Sequence, residues 1–165
     1  GMTGLLGAKE YVSSIFEGSA AGLVIFMPAI VFAVAVGMSF ATGTSWGTFG
    51  ILLPIVVAVG LKPELLVISV SACLAGAVCG DHCSPISDTT IMSSTGAMCN
   101  HINHVSTQLP YSLTVAAVSF VGYILAGFIQ SAWIVLPLSI VILFVVLYGI
   151  KLLTAKKPHT VLRRA

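Results

Sequence analysis

The sequence predicts an all-α membrane protein whose transmembrane helices include a re-entrant hairpin and a discontinuous helix. Three observations carry that expectation. Of 165 residues, 58% are hydrophobic and 7% charged, with a mean hydropathy of +1.09, whereas soluble domains carry about 25% charged residues. Apolar regions at about 22–40, 64–99 (with a polar interruption), 111–130 and 132–153 reach or approach the roughly 20 residues that a bilayer-spanning helix needs. Polar, helix-breaking stretches then cut into two of the regions, "ATGTSWGTFG" at 41–50 and "CGDHCSPISDTT" at 79–90. Strands of a membrane barrel would alternate apolar and polar positions. These runs do not, which leaves helices as the form that satisfies its own backbone in lipid.

Residues 1–17 hold Lys9, Glu10 and Glu17 among small apolar clusters and read as a linker or interfacial segment without a signal peptide. On that ground the chain is expected to begin within a longer protein. The transmembrane region is expected over 18–153. Its first part, 22–60, reads as a hairpin: an apolar arm, the Gly- and Thr-rich turn, and a second arm "TFGILLPIVVAVG". At about 19 Å that second arm is too short for a hydrocarbon core of about 30 Å, so it is expected to return to the face it came from. Two kinked spans are the competing reading, and both leave an even number of crossings.

Residues 64–99 read as one spanning helix broken near its middle, with an apolar arm over 64–78, an interruption over Gly80 to Ser87 and a more polar arm beyond. Pro85 lacks an amide hydrogen, and Ser87 or Asp88 is placed to cap the second arm. The spans 111–130 and 132–153 contain no acidic residue and read as scaffold, and 154–165 as a basic cytoplasmic tail. Lys151, Lys156, Lys157, Arg163 and Arg164 are five of seven basic residues, which puts the C-terminus in the cytoplasm. Counting back, "NHINHVSTQ" faces the cytoplasm, His101 and His104 with it on a polar surface, and "LKPE" the outside. The four cysteines lie in or beside apolar segments, as small hydrophobes without a disulfide framework.

The aspartates of the break are the chemical signal. At mid-membrane two Asp cost about 5–7 kcal/mol, against roughly 2–4 returned by the seven Leu, Ile and Val of 64–78. The segment must therefore be sheltered by other protein, and intramembrane carboxylates are functional candidates. Asp81 and Asp88, with Ser84, Ser87 and Thr89, offer hard oxygen ligands that suit a small cation rather than a soft metal. A second oxygen set lies at the hairpin tip, where Thr42, Thr44, Ser45 and Thr48 surround Gly43 and Gly47 beside Trp46. Two helix breaks in one bundle is the pattern of a secondary transporter site. The plain alternatives are aspartates capping helices at a watery mouth and hydroxyls bonding back to their own helices. A zinc site of Cys79, Asp81, His82 and Cys83, implying an intramembrane hydrolase, is the soft-metal reading. No nucleic-acid patch, phosphate loop or catalytic triad order is present.

"FATGTSWGTFGILLPI" (40–55), "CGDHCSPISDTTIMSSTGA" (79–97) and "HINHVSTQLPY" (101–111) together resemble the NhaC-type sodium/proton antiporter family of bacterial membrane carriers. The resemblance covers roughly 20–130. It implies one half of an inverted-repeat transporter that works as an elevator, with 41–48 as hairpin tip and 79–90 as the break. It also implies a cell (inner) membrane location, sodium and protons as the exchanged species, and no cofactor or enzymatic activity. Expected partners are the lipid bilayer, a missing N-terminal half of the carrier and a second copy in a homodimer. Asp81 and Asp88 are then the carboxylates of exchange, with Thr44, Ser45, Ser84, Ser87 and Thr89 as neutral oxygen ligands. Some relatives resemble exchangers of organic anions or amino acids, so such a carrier is the alternative. Yet no Lys or Arg stands between Lys62 and Lys151 to receive an anion.

Overall fold

A computed structural model describes residues 24–155, so the expected linker at 1–17 and most of the basic tail at 154–165 lie outside the described residues. Among the described residues six helices follow in order: α1 (Met27–Thr42), α2 (Ser45–Ala58), α3 (Pro63–Cys83), α4 (Asp88–Gly96), α5 (His101–Ile129) and α6 (Ala132–Ala155). No strand occurs among the described residues. Among the described residues, three helices are long and apolar enough to cross a membrane: Pro63–Cys83, His101–Ile129 and Ala132–Thr154.

α1 and α2, of 16 and 14 residues, measure about 24 and 21 Å at the α-helical rise. Gly43 ends α1 in the left-handed conformation at φ +68°, its amide donating to the Ser39 carbonyl. Thr44 turns extended and caps α2, accepting from the Gly47 amide at 3.4 Å. The turn is thus two residues long, because a glycine able to reverse the chain is followed by a hydroxyl able to start a helix.

α3 ends later than its composition suggests. It holds helical geometry through Gly80, Asp81, His82 and Cys83 and spans 21 residues, about 31 Å. Asp81 therefore belongs to the last turn of a full-length helix, and the break, expected from Gly80, shrinks to Ser84–Ser87. The reason is local. Proline disfavours the α-region for the residue before it, and that residue, Ser84, turns extended at ψ 131° while Cys83 stays helical. Ser87 then caps α4, accepting from the Thr89 amide at 3.3 Å. The "HINHVSTQ" segment is helical too, forming the first turns of the 29-residue α5, with Asn100 as its cap.

The bundle is organised around α3. Its most extensive interface is with α1, and it is made by small residues: Gly76, Ala77 and Gly80 meet Phe32, Ala35, Val36 and Ser39, and Ala72 and Cys73 on the same helix are fully buried. A β-carbon on Gly80 would run into the Val36 carbonyl and lie 2.9 Å from the Phe40 amide nitrogen. Lipid tails are as apolar as Leu, so helices in a membrane associate through such close contact. The Ser39 hydroxyl adds an interhelical hydrogen bond to the Ala77 carbonyl. Val31, Val56 and Cys73 form the buried apolar centre joining α1, α2 and α3. α5 closes the other side, with Tyr123 stacked 5.1 Å from Phe32. α6 packs chiefly on α5 and leaves most of its apolar surface exposed.

Candidate functional site

The turn between α1 and α2 rests on the break between α3 and α4. A β-carbon on Gly43 would fall 2.9 Å from both the carbonyl oxygen and the Cγ1 of Ile86. The two polar interruptions, some forty residues apart in sequence, thus meet in space. Gly47 serves a different purpose from Gly43, since a β-carbon there would meet only Thr44, within its own turn.

On the break side, Asp81 is half-buried and Ser84 and Ser87 are fully buried. The Ser87 hydroxyl donates to Asp81 Oδ1 at 2.6 Å. A hydroxyl has one hydrogen, so the 2.8 Å contact between Ser87 Oγ and Thr89 Oγ1 has Thr89 as donor. The chain Thr89 to Ser87 to Asp81 delivers its last hydrogen to the carboxylate. Ser84 Oγ accepts from the Ile86 amide at 3.4 Å. Asp88 opens α4 on an exposed surface and takes no part in this chain. Its charge lies at the positive end of the α4 dipole, as a first-turn carboxylate should.

On the tip side, Ser45 and Thr48 are buried, Thr44 is half-buried and Thr42 exposed. Thr48 donates to the Thr44 carbonyl at 2.8 Å and Thr42 to the Met38 carbonyl at 2.9 Å. Their hydroxyl hydrogens are engaged with the backbone, which leaves oxygen lone pairs as their remaining capacity. Trp46 is 80% exposed and reaches no hydroxyl of the site.

Two straps fix the end of α3. Gln108 Nε2 of α5 donates to the His82 carbonyl at 2.8 Å, and Thr90 Oγ1 of α4 donates to it at 3.4 Å. His101 is half-buried and bonded at both ring nitrogens, to the Pro85 carbonyl at 2.7 Å and Ser94 Oγ at 3.0 Å, so it does not line an open polar surface. Composition gave no sign of that, because the partners lie seven and sixteen residues away. The four cysteines are free thiols. Cys79, Asp81, His82 and Cys83 do not converge, and among the described residues no group of three or more His, Cys, Asp or Glu could hold a metal.

The family model described as the Na+/H+ antiporter family matches residues 1–128. An uncharacterized protein of Haemophilus influenzae is 52% identical over 144 residues, covering 86% of this chain and 27% of that relative. The malate-2H(+)/Na(+)-lactate antiporter of Bacillus subtilis is 36% identical over 93 residues, 55% of this chain and 20% of the relative. An uncharacterized Na(+)/H(+) antiporter of Haemophilus influenzae is 35% identical over 105 residues, 62% of this chain and 21% of the relative. The chain thus spans between a fifth and somewhat over a quarter of the length of these relatives. No solved structure matches it. Family and relatives point to transporters and not to enzymes.

Proposed function

The chain belongs to the Na+/H+ antiporter family, and from that premise we propose that it forms one wall of the ion site of a membrane antiporter exchanging sodium for protons. The observation that carries this reading is the seating of Gly43 on Ile86. It brings Thr44, Ser45 and Thr48 to the same end of the bundle as Ser84, Ser87 and Asp81, so hard oxygens from two helix breaks share one region.

The chemistry follows from competition for one charge. An ionised Asp81 attracts a cation, and a proton bound to the same carboxylate removes the charge that attracts it. Sodium and proton cannot both neutralise it, so occupancy by one expels the other. Ser87 and Thr89 move no proton in this scheme. They hold the carboxylate oriented and offer lone pairs to the ion, which is substrate and not cofactor. Asp88, exposed at the head of α4, is read as the second carboxylate, turned toward the part of the carrier outside this chain. A re-entrant course for α1 and α2, a homologous inverted half, elevator motion, a homodimer and a cell-membrane location with the C-terminus in the cytoplasm belong to the same proposal.

Exchange of organic anions is the second reading, favoured by the name of the Bacillus relative. The absence of any Lys or Arg between Lys62 and Lys151 weighs against an anion site within this chain. Dye-reported pH change in inverted vesicles holding the full carrier decides between them. Sodium addition alone should move protons. A response that requires a carboxylate substrate would replace the sodium reading with the organic one. Purified carrier should carry no stoichiometric zinc, and zinc at one per chain would reopen the soft-metal reading.

A further inference from the structure

We propose that His101 is a positioning residue for the break, its imidazole clamping the Pro85 carbonyl to Ser94 and so tying 84–87 to α4 and to the head of α5. The Pro85 carbonyl lies in the stretch between two helices and has no place in either hydrogen-bond ladder. Such a group in a membrane protein must find a partner inside the protein, and His101 Nε2 supplies it at 2.7 Å. The ring is available for that task because the cap of α5 is Asn100, which accepts from the Asn103 amide.

Counting hydrogens defines the ring. A carbonyl only accepts, so Nε2 carries a hydrogen. In the neutral imidazole Nδ1 is then an acceptor, and the Ser94 hydroxyl must turn toward it, away from the Ile91 carbonyl that it reaches at 2.9 Å. Ile91 tolerates the loss, since Thr95 also donates to its carbonyl at 2.8 Å. One tautomer therefore satisfies every group involved. Ser94 is buried, and Pro85 stands two residues before the Ser87 that bonds Asp81, so the clamp sets where that hydroxyl points.

The consequence for transport rests on the ion-site reading, whereas the clamp itself is tested without sodium or flux. Hydrogen–deuterium exchange of the purified full carrier, followed by mass spectrometry, reads peptides covering 84–94 against α6 as a control. His101→Ala should speed exchange across 84–94 about tenfold or more and leave α6 unchanged. His101→Gln, which restores an amide donor for Pro85, should recover much of the protection. Ser94→Ala should give an intermediate rate. Unchanged exchange in His101→Ala, equal acceleration in α6, or His101→Gln as fast as His101→Ala would overturn the clamp. Should His101→Ala fail to fold, Ser94→Ala decides, and wild-type exchange there would equally overturn it.

Discussion

At the residue scale, Asp81 and Asp88 occupy different surroundings although seven residues apart in one motif. Asp81 receives a hydroxyl hydrogen from a buried serine, and Asp88 stands exposed at a helix start. Asp81→Asn keeps size and one oxygen but cannot exchange a proton for a cation. It should abolish sodium-driven proton movement while the purified carrier melts at the wild-type temperature or above. Asp88→Asn should abolish it as well. Wild-type antiport in both would falsify the assignment and leave Asp81 as a structural partner of Ser87 and Asp88 as a charge at the start of α4. Ser87→Ala removes a hydrogen bond to a charged group, worth about 1.5–3 kcal/mol, and should raise the sodium concentration for half-maximal flux roughly tenfold or more. Gly43 is a sharper probe of the tip. At φ +68° and 2.9 Å from the Ile86 carbonyl, Gly43→Ala adds left-handed strain and a clash, costing about 1–3 kcal/mol. Gly47→Ala, whose new methyl meets only Thr44 within the turn, should melt closer to wild type; equal melting temperatures would show that tip and break do not touch.

At the scale of elements, the α1–α3 contact holds the site together. Both helices approach at Gly76 and Gly80, where added atoms would meet the α1 backbone. Such contact has no apolar alternative, because the interface is built from atoms already touching. Gly80→Leu should therefore prevent stable folding, seen as loss of monodisperse protein in detergent. Gly37, on the partner helix α1, has open space where its β-carbon would be, so Gly37→Ala should leave stability near wild type or slightly higher. If Gly80→Leu were as stable as Gly37→Ala, the small-residue seam would not be the organising contact. The prolines within α2, α5 and α6, at Pro54, Pro110 and Pro137, do not end their helices, as is common where neighbouring protein satisfies the freed carbonyls.

At the scale of the whole molecule, α1, α2 and α5 pack on α3 among the described residues, while α6 lies against α5 and shows apolar surface on nearly every side. That surface fits a protein whose solvent is lipid. The basic residues near the C-terminus set the expected orientation. A cysteine placed at Thr154 should be labelled by an impermeant thiol reagent only from the cytoplasmic side, and one at Lys62 only from outside, in a carrier whose native cysteines are replaced. Labelling of both positions from one face would refute the three-span path between them.

The sequence by itself determined the helical class, the segments apolar and long enough to cross a membrane and, to within a few residues, the two places where helices stop. Each depends on local composition: apolar length sets a span, Gly43 and Pro85 end helices through their own backbones, and Ser87 and Thr44 start helices through their own hydroxyls. The hydroxyl-rich character of the site was legible for the same reason. Tertiary structure alone decided that the α1–α2 turn lies on the break, that Asp81 bonds Ser87, and that His101 straps the break and Gln108 the end of α3 from α5. Those facts depend on which helix faces which, and that is set by the fit of small residues along α1 and α3. Such complementarity is a property of pairs of surfaces, and no window along one strand of sequence contains both.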